Sequence, residues 1–231
     1  MKAKTFYITW LILLITSLIV NFAFGDELKH IEFDKNVLQL QGDVTKEMAT
    51  RTKIYLDLHP NDTKILIYIN SLGGEVESGR LIIKNLKLSG KETICIAKTA
   101  MSMAMYIFQS CDVRYVVKSS LLMSHGMLLG LTEIQYVNDL QPYIEKLQKE
   151  DKQLHSIVEK RLGLTHEQLL AHEQPEWFIV GSDNILKNNA ADEEVTISCK
   201  KEIEGLFKPV NVYDPNRGVV RIVNYSRVCP L

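Results

Sequence analysis

The sequence has no excess of charge of either sign, because 27 Lys and Arg residues stand against 28 Asp and Glu residues in a chain of 231. The resulting formal net charge of −1 gives no electrostatic reason to expect nucleic acid as a partner. Internal repeats and low-complexity segments are also absent. The length then suits one domain with short additions, and a hydrophobic content of 46% is ample for a packed core.

A cluster of metal-ligating residues is missing as well. His155, His166 and His172 have no partners at metal-ligand spacing, so we expect them to face solvent. No cofactor motif is present either, and we predict a protein without a metal or cofactor.

The N-terminal segment differs in composition from the rest of the chain. Lys2 and Lys4 precede an apolar run over residues 6–24, and Ala23-Phe24-Gly25 follows the pattern that a signal peptidase cleaves. We predict a secretory signal over residues 1–25 that directs the protein to the periplasm or outside the cell. An uncleaved membrane anchor is the alternative, because the run is long for a signal. No cysteine follows the run directly, which argues against a lipid-anchored lipoprotein.

Four cysteines in an exported chain permit two disulfides. Cys199 and Cys229 flank the C-terminal extension, and we predict that they are bridged. Cys95 and Cys111 fit a second bridge and two buried free thiols equally well.

Between the two ends, strand-like and helix-like segments alternate. Apolar β-rich runs are found at residues 64–69, 93–97, 113–117 and 121–124, while helical patterns cover residues 76–88 and begin again near Ser102. This alternation predicts an α/β fold with a mainly parallel sheet. Ligands of such sheets bind at the carboxyl ends of the strands, where the following helices begin.

The pattern changes after Gly130. Residues 132–162 form a long amphipathic helical stretch, in which Pro142 introduces a kink or marks the true start. This helix has more apolar surface than its own domain can cover, which suggests a partner subunit. Thr165 and Gln168 form a capping box that opens a second helix. The main domain is predicted over residues 26–198, with a hairpin-like extension over residues 199–231.

Three short motifs carry chemistry. Gly73 and Gly74 follow one strand, Ser102 follows the next within Thr-Ala-Met-Ser-Met-Ala, and His125 stands 23 residues after the serine. A serine nucleophile needs a base to take its proton, and the oxyanion that then develops needs backbone N–H donors. These are parts of a serine hydrolase.

With these motifs in this order, the chain resembles the Clp protease proteolytic subunit and, more widely, the Clp-protease/crotonase superfamily. The resemblance covers about residues 30–195 and is sharpest in YINSLGG, TAMSMA and LLMSHG, at residues 68–74, 99–104 and 121–126. It implies a spiral of βαβ units from which the long helix projects as a handle that assembles rings. Peptides or unfolded proteins are the implied substrates, and a homo-oligomer is the implied assembly.

The resemblance assigns roles to individual residues. Ser102 matches the nucleophile and His125 the general base, while Gly74 and Met103 match the two backbone oxyanion donors. Glu176 matches the third member of the triad, which is an aspartate in the family. A glutamate can also orient a histidine, although its side chain is one methylene longer.

Other features depart from the family. Leu72 stands where the family usually has proline before the two glycines. The cytoplasmic members work with an ATP-driven unfoldase, whereas an exported protein has no ATP supply, so we expect ATP-independent cleavage through an acyl-enzyme. Two alternatives stay open: a ring-forming scaffold that has lost activity, and a crotonase-like acyl-CoA enzyme, against which the export signal argues. The substrate and the ring size cannot be derived from the sequence.

Overall fold

The computed structural model describes residues 28–130, 137–204, 207–214, 219–227 and 229–231. The predicted signal or anchor lies outside the described residues. Within them, no helix is long and apolar enough to cross a membrane.

A mostly parallel sheet forms the centre of the molecule. Its order is β1-β7-β5-β4-β3-β2, and β6 adds to β5 as an antiparallel strand. The strands are β1 (Lys29–Phe33), β2 (Leu38–Gln41), β3 (Lys64–Ser71), β4 (Glu92–Met101), β5 (Val113–Ser124), β6 (Trp177–Val180) and β7 (Glu193–Cys199).

Helices connect these strands, as the alternating pattern predicts. In the described residues they are α1 (Lys46–Leu58), α2 (Val76–Leu88), α3 (Met103–Gln109), α4 (Val137–Leu162), α5 (His166–His172) and α6 (Ser182–Lys187), with a 3₁₀ turn at Lys201–Ile203. The fold is thus the mainly parallel α/β architecture expected from the sequence, with a helix–strand organisation consistent with the Clp-protease/crotonase type.

Apolar side chains of the strands and of the inner helix faces form the core. Ile67 and Ile69 of β3, Ala97 of β4 and Phe108 of α3 are completely buried. The short helix α3 is buried along its whole length, which explains why its sequence is apolar on every side.

The long helix α4 runs from Val137 to Leu162 with Pro142 inside it. Pro142 therefore lies inside the helix and does not mark its start, and it removes the hydrogen bond that an N–H at this position would donate to the carbonyl of residue 138. The helix ends at Gly163, which has a φ of 72° and whose N–H donates to the Glu159 carbonyl at 2.9 Å. The capping box between Thr165 and Gln168 is present at the start of α5.

One strand differs from the sequence prediction. The two runs at residues 113–117 and 121–124 belong to the single strand β5. The polar residues between them do not end the strand, because buried Ser120 donates to the Ala97 carbonyl at 2.7 Å and accepts from the Val117 N–H at 2.8 Å. A register shift between β4 and β5 occurs at the same place.

The C-terminal extension contains a two-stranded antiparallel hairpin of β8 (Phe207–Asp214) and β9 (Val219–Arg227). A disulfide joins Cys199, at the end of β7, to Cys229, with 5.9 Å between the Cα atoms. The second pair is also bridged: Cys95 of β4 is bonded to Cys111, with a Cα separation of 6.1 Å. The structure thus resolves the alternative left open for Cys95 and Cys111 in favour of a bridge.

Candidate active site

Ser102 occupies the sharp turn between β4 and α3. It is the residue directly after Met101 and directly before Met103, and its backbone has φ 52° and ψ −126°. A non-glycine residue with this conformation is strained by about 1–3 kcal/mol and is found mainly at functional sites. Its side chain does not cap α3, and Ser102 Oγ forms no hydrogen bond within the described part of the chain.

The Gly73-Gly74 loop lies beside this turn. The Val44 N–H donates to the Gly73 carbonyl and the Glu75 N–H donates to the Val44 carbonyl, both at 2.8 Å. A β-carbon on Gly74 would lie 2.5 Å from the Val44 carbonyl oxygen, and Gly74 has a φ of 145°. Only glycine fits this position without displacing the neighbouring backbone.

Two backbone N–H groups remain available next to Ser102. The Gly74 N–H has no backbone acceptor among the described residues, and it points away from Val44 because successive N–H groups of an extended chain alternate. The Met103 N–H is the first of α3 and has no carbonyl acceptor within the helix. Both are the groups that the resemblance noted in the sequence predicts as oxyanion donors.

His125 follows the last residue of β5. Its Nδ1 lies 2.6 Å from the Gly126 carbonyl oxygen. Because a carbonyl only accepts hydrogen bonds, this contact places the ring proton on Nδ1 and leaves Nε2 as the acceptor. The Tyr106 hydroxyl donates to the His125 carbonyl at 3.1 Å, which fixes the backbone of the same residue.

Ser102, His125, Gly74 and Met103 line one cavity of about 200 Å³. Val76, Met127 and Leu154 add an apolar wall to it. The structure therefore brings together four of the five residues that the sequence singles out. Residues 126–130, which follow His125, lie outside any strand, and Leu128 is 80% exposed there.

Glu176 is the fifth residue, and it does not line this cavity. The antiparallel pairing of β5 with β6 ends at Ser124 and Trp177, which are the chain neighbours of His125 and Glu176. The side chain is exposed and forms no hydrogen bond or ion pair with the other described residues. Its role in a triad stays a prediction.

The expectation that His155 faces solvent is wrong. The side chain is completely buried, and Nε2 lies 2.9 Å from Glu173 Oε2 while Nδ1 lies 3.3 Å from Asp151 Oδ2. Neither contact has the geometry of a regular hydrogen bond, and both are ion pairs when the imidazole is protonated. Burial alone would lower the pKa of His155, but the contact with Glu173 and the charges of Glu173, Asp151 and Glu159 outweigh it and raise that pKa above its ordinary value.

Sequence reasoning missed this group because the partners are distant in the chain. The available signal was the i, i+4 spacing of Asp151 and His155 on a helix, which is common on exposed helix faces as well. No group of three potential metal ligands occurs in the residues described.

Fold and cavity together define an α/β protein with a serine on a strained strand-to-helix turn, a histidine that lines the same cavity, and two backbone N–H groups without a backbone acceptor among the described residues. The Clp protease family profile matches residues 27–187, which is more than two thirds of the chain, and the chain belongs to that family. The family is one of serine peptidases, whose members generally form oligomers and act on protein substrates.

Proposed function

We propose that this protein is an exported serine endopeptidase that cleaves peptides or unfolded proteins without ATP. The single observation that carries the proposal is the strained backbone of Ser102 on the wall of the cavity that it shares with His125, Gly74 and Met103. A strained serine at the start of a helix presents its hydroxyl to a ligand, as in other hydrolases with a nucleophile on a sharp turn.

In the proposed reaction, Ser102 Oγ attacks the carbonyl carbon of the peptide bond while His125 Nε2 takes the hydroxyl proton. The N–H groups of Gly74 and Met103 donate to the oxyanion of the tetrahedral intermediate. His125 then gives its proton to the leaving nitrogen, and the amine departs with an acyl-enzyme left on Ser102. Water, deprotonated by His125, releases the acid and restores the serine.

The orientation of His125 supports the direction of these proton transfers. Its Nδ1 proton is held by the Gly126 carbonyl, so the basic Nε2 is the nitrogen available to the serine. In the proposed triad, Glu176 approaches the Nδ1 side of the ring when substrate is bound and stabilises the cation that forms.

Two disulfides support an oxidising location outside the cytoplasm. In that setting no ATP drives unfolding, and the substrates are chains that are already extended. The backbone of residues 128–130 fits such a chain, because these residues are exposed and their main-chain groups form no hydrogen bond with the other described residues. We also propose that α4 carries the contact between subunits of a homo-oligomeric ring.

Labelling with a fluorophosphonate tests the proposal, since the reagent reacts only with an activated serine. We expect one adduct on Ser102 in the wild-type protein, none in Ser102→Ala, and a loss of at least about 1,000-fold in rate for His125→Ala. Ser110→Ala is the matched control, since that serine lies at the far end of α3. No adduct on Ser102 in the wild type, or an unchanged rate in His125→Ala, would overturn the proposal.

A catalytically inactive, ring-forming scaffold is the second candidate. The exposed and unbonded state of Glu176 favours it, because a triad without its carboxylate is a weak catalyst. This candidate predicts stable oligomers that bind unfolded chains equally well in the wild type and in Ser102→Ala, with no turnover in either.

A further inference from the structure

Three helices hold the short segment of residues 124–127, which carries His125 and which we call the His125 segment. Glu173, at the end of α5, accepts a hydrogen bond of 2.5 Å from Ser124 Oγ. Asp151 of α4 accepts one of 3.0 Å from the Met127 N–H. Tyr106 of α3 donates to the His125 carbonyl. The segment is thus fixed on both sides of the histidine by two carboxylates from different elements.

His155 connects these two carboxylates. Its Nε2 is 2.9 Å from Glu173 and its Nδ1 is 3.3 Å from Asp151. The Glu173 side chain is 2% exposed and that of His155 0%, whereas Asp151 is 27% exposed. A neutral imidazole has only one N–H, so one of its nitrogens would then turn a lone pair toward a carboxylate. Only the protonated imidazole has an N–H facing both the Glu173 and the Asp151 carboxylate.

The charge balance of the group also favours a protonated His155. The buried Glu173 carboxylate is costly to hold without a cation beside it, and the protonated His155 offsets its charge. The other ionisable groups that face His155 are Glu159 on its own helix, His166 on α5, whose ring centroid is 5.8 Å away, and Tyr106 on α3 at 6.2 Å. His166 is itself paired with Glu159 at 2.7 Å, so it does not replace His155 between the two carboxylates.

We propose that His155 and Glu173 are positioning residues for the peptidase reaction, which hold the His125 segment in its productive geometry while His155 is protonated. The proposal rests on the function proposed above and adds to it a link from the long helix α4 to the base. Deprotonation of His155 removes the cation, weakens the hold of Glu173 on Ser124 and of Asp151 on Met127, and lets His125 move relative to Ser102. A displacement of about 1 Å at a reacting group can lower a rate by about 100-fold.

The direction of the pH dependence follows from the environment of His155. Its pKa is raised in the folded protein, so the contribution is complete at pH values below its ordinary value of 6.5 and is lost as the pH rises through the folded-state value above it. The wild-type rate should therefore decrease as the pH rises through the folded-state pKa of His155, and we call this decrease the falling limb.

The test measures the rate of fluorophosphonate labelling of full-length protein between pH 5.5 and pH 9 in His155→Gln, Glu173→Gln and the control His166→Gln. Glu173→Gln keeps the shape of the side chain, so it tests the same link even if His155→Gln does not fold. We expect both variants to react about 10-fold to 100-fold more slowly than the wild type near neutral pH and to lack the falling limb. His166→Gln should keep the wild-type profile.

Hydrogen–deuterium exchange of peptides that span residues 124–130 gives a readout that needs no activity. We expect loss of amide protection there in both variants, and in the wild type as the pH rises along the falling limb. If the wild type is labelled but His155→Gln keeps the falling limb and the protection, the proposal is wrong while the peptidase function stands. If the wild type is not labelled at any pH, the proposed function is wrong. Independently of labelling, hydrogen–deuterium exchange that is the same in His155→Gln, Glu173→Gln and the wild type would show that His155 and Glu173 do not hold the His125 segment.

Discussion

Gly73 lies so close to Ser102 that a β-carbon added to the glycine would stand 2.6 Å from the serine Cβ. It would also lie 2.7 Å from the Met101 carbonyl oxygen and 3.0 Å from the Met103 nitrogen. Gly73 has a φ of 101°, a region that other residues rarely adopt. The glycine loop and the serine turn are therefore fitted to each other through backbone contacts.

This contact predicts the effect of Gly73→Ala. The clash with Ser102 and the strain at positive φ together should lower the free energy of unfolding by about 2–4 kcal/mol and slow fluorophosphonate labelling about 10-fold or more. Gly90→Ala is the matched control, because Gly90 has a φ of 65° but no atom within 4 Å of an added β-carbon. That control should lose only about 1 kcal/mol. Equal losses in the two variants on urea unfolding would contradict the fitted contact.

The parts of the site that could be predicted from the sequence are local ones. The helix over residues 76–88 was expected from its amphipathic period and is found with those bounds. Gly73, Gly74 and Ser102 are identifiable because each follows a strand-like run, and the order of these motifs and His125 along the chain indicates the family.

The parts that could not be predicted depend on tertiary packing. Whether His155 is buried depends on α5 folding back so that Glu173 reaches it, and neither residue type indicates burial on its own. Likewise, the partner of β1 is β7, with Lys29 opposite Val195, and no local pattern could pair segments so far apart in the chain. The exposure of Glu176 has the same origin, because the antiparallel pairing of β6 with β5 is a tertiary contact that no local pattern indicates.

Removal of the C-terminal disulfide should destabilise the protein without affecting the serine. The bridge between Cys199 and Cys229 closes a sequence separation of 30 residues. Its loss should lower the free energy of unfolding by about 3–4 kcal/mol in the chain-entropy view. Since either cysteine alone cannot form the bridge, Cys199→Ala, Cys229→Ala and the double variant should lose similar amounts on urea unfolding. If the loss of unfolding free energy in the double variant equalled the sum of the losses in the two single variants, the bridge would be contradicted.

The ion pair between Arg114 and Asp192 should make stability depend on acid pH. Asp192 accepts from the Arg114 backbone N–H at 2.7 Å and from its Nη2 at 2.5 Å, and the Arg114 side chain is 5% exposed. Burial alone would raise the pKa of Asp192, but the hydrogen bonds and charge of Arg114, with the charge of Arg161, lower it below its ordinary value of 3.8. The stabilisation is therefore present above pH 3.8 and is lost as the pH falls through the lower folded-state value.

Asp192→Asn should thus lower the free energy of unfolding at pH 7 by about 1–2 kcal/mol, a figure kept small because the carboxylate is partly exposed. The difference from the wild type should vanish at a pH below the folded-state pKa of Asp192. Asp183→Asn provides the control, since its pair with Lys118 is almost fully exposed on both sides. A difference that persists unchanged in acid would mean that the charge of Asp192 is not what stabilises the fold.

Glu176→Gln tests whether a carboxylate is needed beside His125. In the absence of substrate, the Nδ1 proton is already held by the Gly126 carbonyl at 2.6 Å, which sets the tautomer without a carboxylate. What the carbonyl lacks is the full negative charge that stabilises the imidazolium during the reaction. We therefore expect a loss of about 10-fold in the turnover of a peptide substrate, smaller than the roughly 10,000-fold typical of triads in which the carboxylate alone sets the tautomer.

The loss should fall on turnover rather than on substrate affinity, because Glu176 does not line the cavity. Glu167→Gln is a suitable control, since it removes an exposed carboxylate from the first turn of α5. If Glu176→Gln turns over substrate at the wild-type rate, Glu176 has no part in catalysis and His125 is oriented by the backbone of Gly126. A loss approaching 10,000-fold would instead mean that Glu176 replaces that carbonyl when substrate binds, so that the tautomer depends on the carboxylate.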